Sequence, residues 1–186
     1  MEGLCTGSDA GARKQFKGDN IEMAKLNSLR DLYIHELQDL FDAENQLTKA
    51  LPQMEQAASS EELKAAFREH LEVTQNQIQR LEQIFQGLDE EPGGEKCKAM
   101  QGLIAEAQDL LKEDAEPDVL DAALIGAAQR VEHYEMAGYG TARTFAQRLG
   151  EDEAASLLQE TLEEEEMTDK KLTRIAEGQV NPQADQ

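Results

Sequence analysis

Tryptophan is absent from the 186-residue sequence, which also has only three tyrosines, five phenylalanines, four prolines and two cysteines. So little proline leaves long stretches without a helix breaker. Cys5 and Cys97 have no CxxC or histidine spacing beside them, so neither reads as part of a redox or metal motif. Both are expected to be free thiols, with Cys97 a small residue packed in a helix. No apolar run approaches the roughly 20 residues that a membrane helix needs. The N-terminus lacks the basic and apolar regions of a secretory signal, and a soluble, cytoplasmic protein is expected. Positive charge is scarce too: 18 Lys and Arg stand against 39 Asp and Glu, a net charge of -21. Such a field repels phosphate backbones and anionic membranes, which argues against both as partners and favours cations. With no Gly-rich phosphate loop and no Ser, His and Asp set, neither phosphate handling nor acyl transfer is indicated.

What remains is the composition of an all-helical protein, rich in Ala, Leu, Glu, Gln and Lys. Residues 1–25 carry no sustained periodicity and are expected to form a flexible tail. The spacing predicts a first long helix over Asn27 to Ala57, with Glu44 on its apolar stripe and Pro52 near its end. A short Ser-rich connection leads to a second, Glu61 to Leu88, whose inward face includes His70, Thr74 and Gln77. Glu69 and Glu72 point away from that face. Breaker residues follow, and a segment over residues 95–115 carries its own helical pattern, long enough to travel the length of a bundle. Pro117 suits the first turn of a third long helix ending near Leu149-Gly150. A fourth runs from Asp152 to Glu177, and 179–186 reads as a polar tail. The expected fold is therefore an all-α four-helix bundle over residues 26–178, with a crossover connection carrying an extra helix.

Within the third long helix, Leu124, Ala128, Val131, Gly138 and Ala142 share one arc at about 100° per residue. Glu135 falls inside that arc and Glu132 on its edge, so the two carboxylates stand one above the other. A lone buried charge is costly without a partner. Antiparallel pairing of the first two helices sets Glu44 opposite Thr74. Pairing of the last two sets Glu135 opposite Glu164 or Glu165. Glu44, Glu132, Glu135, Glu165 and Asp169 thus gather near mid-bundle, where protonation or divalent metal would relieve their repulsion. So oxygen-rich a set suits iron or manganese sooner than zinc. His70, Thr74, Gln77 and Glu164 are supporting candidates beside it.

Six separated blocks resemble the YciF and YciE stress proteins, a family of the ferritin-like superfamily. They include Asp42-Ala43-Glu44-Asn45-Gln46-Leu47, His70-Leu71-Glu72 with Thr74, Asp121 to Ile125, Val131-Glu132-His133-Tyr134-Glu135, and Glu160 to Glu165 continuing to Leu172. The resemblance implies a ferritin-like bundle, a homodimer related in shape to rubrerythrins, and a role in stress responses. Ferritin-like di-iron sites draw Glu-x-x-His from two of their helices, and this sequence departs from that pattern. Glu72-Val73-Thr74-Gln75 has Gln in place of His, and Glu165 is followed three later by Thr168, which leaves Asp169 to serve instead. Two readings follow. One is a di-metal oxidoreductase of rubrerythrin or catalase type, acting on peroxide or oxygen. The other is a metal-free stress-associated dimer acting through its surface.

Overall fold

A computed structural model describes residues 26–186. The expectation of a flexible tail over 1–25, and Cys5 with it, lies outside these residues. Five helices dominate: α1 (Leu29–Ala57), α2 (Glu61–Leu88), α3 (Lys98–Leu110), α4 (Pro117–Leu149) and α5 (Asp152–Ile175). Side-chain caps fix where several begin. Ser28 accepts from the Asp31 amide and Ser60 from the Leu63 amide, satisfying donors that the first turn of a helix leaves orphaned. Pro117 occupies the first turn of α4, where no amide is needed. Pro52, near the end of α1, does not break it. The chain passes Gly87 as helix and stops at Asp89, which takes the left-handed conformation at φ 57°.

Helices α1 and α2 form an antiparallel hairpin, and so do α4 and α5, as the short Ser59-Ser60 and Gly150-Glu151 connections require. Arg30 at the start of α1 reaches the Leu88 carbonyl at the end of α2, and Gln129 of α4 reaches Asp169 and Thr173 of α5. Helices α2 and α4 run parallel, because their first halves share one apolar cluster (Leu63 and Phe67 with Leu124 and Ala128) and their second halves another (Leu81 and Phe85 with Tyr139 and Ala142). Joining two parallel helices requires the chain to travel back along the bundle. The 89–116 crossover does this, held to α1 by Gln38 on the Gly93 carbonyl and Gln46 on the Cys97 carbonyl.

One buried carboxylate sets the height of α4 against the first hairpin. Asp121 accepts from the backbone amides of Ser59 and Ser60 at 2.8 and 2.7 Å and from the Ser59 hydroxyl at 2.6 Å. The charge is thus fully hydrogen-bonded, the condition for burying one cheaply. Farther along α4, Gly138 lets the helix approach α1. A Cβ there would stand 2.7 Å from Leu40 Cδ2, whereas one at Gly140 would meet nothing within 4 Å.

Two details depart from expectation. Cys97 is not inside a helix. It caps α3, its Sγ accepting from the Met100 amide at 3.3 Å. The polar tail expected over 179–186 instead continues as helix, through a π-helical turn at Ala176–Val180 and a last turn at Asn181–Ala184. Val180 is the reason: it is buried, packed in the same cluster as Leu172 and Ile175. One apolar residue among polar neighbours carries almost no periodic signal.

Gly138→Ala should lower the melting temperature, because Leu40 must leave its place. Gly140→Ala should raise it, through up to about 1 kcal/mol of added stability from helix propensity. Thermal melts followed by circular dichroism read both, and equal shifts would contradict the close approach.

Candidate functional site

Between the two apolar clusters lies a polar layer. In α1 it interrupts the core at Glu44, between Leu40 and Leu47. In α2 it falls at His70, Thr74 and Gln77, in α4 at Glu132 and Glu135, and in α5 at Thr161 and Glu165. Glu44, Thr74, Gln77, Glu135 and Glu165 are fully buried, and Glu132 and His70 nearly so. One donor atom from each of His70, Glu132, Glu135 and Glu165 lies within 4.8 Å of the others. Helix spacing explains the convergence: Glu132, Glu135 and Tyr139 are three and four residues apart on one face of α4.

Few protein groups satisfy these acids. Tyr139 donates to Glu44 Oε1, and Gln77 donates to Glu165 Oε1 and, at 3.2 Å, to Glu164 Oε2. His70 Nε2 stands 3.2 Å from Glu132 Oε1, without the alignment of a hydrogen bond. Eleven buried side-chain polar atoms lack a fixed partner among the described residues. Nine of them lie in this layer, including both oxygens of Glu135, both nitrogens of His70 and one oxygen each of Glu44, Glu132 and Glu165. Native cores leave few such atoms, so a concentration of them marks a site.

Burial pushes the carboxyls of Glu44, Glu135 and Glu165 well above the usual carboxylate range, and their mutual repulsion adds to it. Burial also raises Glu132, to about 7. A hydrogen bond from Glu165 holds it down, while Asp169 pushes it up. A proton shared between Glu165 and Glu132 is therefore one way the layer lowers its charge. Desolvation and the Glu44 carboxylate raise the Tyr139 phenol, which stays a donor.

Not every expected residue takes part. Asp169 does not enter the layer: it accepts from Gln129 at 2.9 Å, lies 3.5 Å from His133 Nε2, and is partly exposed. By helical spacing Asp169 shares the stripe of Glu165, but Gln129 and His133 of α4 draw its carboxylate aside. Glu164 is claimed by Arg80, whose fork meets both its oxygens at 2.6 and 2.7 Å. Thr74 is buried in the layer with its hydroxyl unpartnered. Tyr139 was not among the candidates from sequence, although its spacing from Glu135 placed it on the right face. Nearby, Tyr134 donates to Asp39 and lies 3.0 Å from Cys97 Sγ. Burial pushes the Cys97 thiol up to about 11, so it is held as an inert thiol and not as a thiolate.

The acids and the imidazole fit a divalent metal. The donors are oxygen-rich with one nitrogen, buried, convergent and short of hydrogen-bond partners. Metal-free protein should be most stable at mildly acidic pH. The unfolded chain releases these protons near the ordinary value of 4.5, whereas the folded chain holds them, Glu132 to about 7 and Glu44, Glu135 and Glu165 well above the usual carboxylate range. The folded state binds more protons in that window, so stability falls as pH rises through it. Urea titrations of chelator-treated protein at pH 5 and pH 7.5 check this; greater stability at pH 7.5 would contradict it.

Comparison with known proteins agrees with the fold. A family described as a domain of unknown function (DUF892) matches residues 28–185. Protein YciF of Escherichia coli is 47% identical over 161 residues, 86% of this chain and 97% of that protein. The crystal structure of the E. coli stress protein YciF superposes with a TM-score of 0.81 at 48% identity, covering 84% of this chain and 99% of that one. YcfI of Rhodopseudomonas palustris superposes at 0.77 with 42% identity, covering 85% and 98%. A helical bundle with these relatives along nearly its whole described length belongs to the YciF-like family of stress proteins.

Proposed function

We propose that this stress-family protein is a ferritin-like carboxylate protein that holds two iron or manganese ions in its buried layer. Glu44, His70, Glu132, Glu135 and Glu165 are the residues that would hold them. The observation that carries this reading is the concentration of unpartnered atoms on those five side chains, four of which, all but Glu44, bring a ligand atom within 4.8 Å of one another. The metal, when bound, would supply redox chemistry toward peroxide or oxygen. The chain supplies the rest. Tyr139 orients Glu44 through its phenol, and Gln77 fixes Glu165. The apolar clusters on either side exclude bulk water.

The missing Glu-x-x-His motifs are the main departure from the ferritin-like pattern. His70 answers it in part, bringing an imidazole to the layer from α2 at a different position. Asp169 is not in the ligand set. A homodimer, which the resemblance to rubrerythrins suggests, completes the reading. No helix among the described residues is long and apolar enough to cross a membrane, in keeping with a soluble protein.

A metal-free stress protein acting through its surface is the second reading, favoured by the proton that Glu165 and Glu132 can share. Elemental analysis of protein purified without a metal-affinity tag separates the two. About two iron or manganese atoms per chain are expected, as in other ferritin-like di-metal bundles. No metal, even after anaerobic reconstitution with ferrous iron, would leave the second reading standing.

A further inference from the structure

The seam between α2 and α5 holds two adjoining cavities. The inner one, about 30 Å³, touches His70 and Glu132 and is otherwise walled mainly by apolar side chains such as Phe67, Ala128 and Leu172. The outer one is an open groove of about 690 Å³ along the surface. Glu69, Val73, Thr168 and Lys171 line both. These four side chains are thus the throat between them, and across it Lys171 pairs with Glu69 at 2.6 Å. Both ends of that pair are substantially exposed, so it is a weak closure that side-chain motion opens.

Hydrogen bonds knit other parts of the layer: Tyr139 donates to Glu44 of α1, and Gln77 and Arg80 both donate to Glu164 farther along α2 and α5. Size then limits what the inner cavity admits. One water occupies about 10–15 Å³, so a cavity of about 30 Å³ admits only small molecules.

We propose that the α2–α5 seam is the entry by which a small neutral molecule, of the size of hydrogen peroxide or dioxygen, reaches His70 and Glu132, and that Val73 and Thr168 set its size limit. This deepens the oxidant-directed reading above, on which it rests for its purpose. The route itself is a property of the fold and is tested without metal.

Dioxygen is its own probe, because it is paramagnetic and speeds the relaxation of methyl protons it approaches. Chelator-treated full-length protein would be studied by methyl NMR under raised oxygen pressure. The Ala128 and Leu172 methyls at the inner cavity should relax faster than the methyls of Leu37 and Leu158, which are fully buried in the other cluster. Val73→Trp should abolish that difference, and Thr168→Phe provides the same test should the first variant fold poorly. Enhancement at Ala128 and Leu172 no larger than at Leu37 and Leu158, or unchanged in a folded throat variant, would overturn the proposal. Metal content is measured separately, so an entry route in a protein that never binds metal would sink only the metal reading.

Discussion

Burying Glu44, Glu132, Glu135 and Glu165 at one level of a helical bundle sets a constraint on everything around it. Each ionised carboxylate taken from water costs several kcal/mol even after the protein relaxes, while a fully buried leucine returns about 1.5–3 kcal/mol. Several like charges together therefore outweigh any plausible repacking nearby. Their charge has to be removed, by protons or by cations. Protons satisfy the layer only in part, because a protonated acid still wants a hydrogen-bond acceptor, and both oxygens of Glu135 lack any fixed partner. A divalent cation answers both needs at once, neutralising the acids and occupying their lone pairs.

The surrounding fold serves this layer. Two antiparallel hairpins fix heights within each pair, and Asp121, bonded to the Ser59-Ser60 connection, fixes one hairpin against the other. Gly138 brings α4 close to α1 near that level. The apolar clusters above and below supply the stability that a polar layer cannot, and keep the acids dry. Arg80 removes Glu164 from contention by pairing with it outside the layer, so the number of buried charges stays small enough for cations to offset.

Most of this could be read from the chain. Apolar stripes at helical spacing gave the long helices nearly to the residue, and antiparallel counting across short connections brought Glu44, Thr74, Glu135 and Glu165 to a common height. Periodicity locates a residue only to a face and a level, however. It could not show that Asp169, on the same stripe as Glu165, turns to Gln129 and His133, because that depends on the identity of facing side chains. Tyr139 and Cys97 escaped for the same reason: a phenol on an inward face reads as core until the acid it meets is known, and a cysteine cap looks like a cysteine in a helix. His70 was visible but undervalued, since the familiar pairing of Glu with His three residues on drew attention elsewhere. Val180 had too little context to signal its docking.

Glu135 tests the central claim most directly, since the two ways of neutralising the layer give its removal opposite signs. Thermal melts of wild type and Glu135→Ala, with and without chelator at pH 8, provide the measurement. With metal bound, the account predicts that chelator lowers the wild-type melting temperature and that Glu135→Ala melts lower than wild type in the absence of chelator, having lost a ligand. A wild type insensitive to chelator, with a Glu135→Ala variant more stable than it at pH 8, would contradict the account: losing the carboxylate would then only have relieved repulsion, at the cost of a modest cavity.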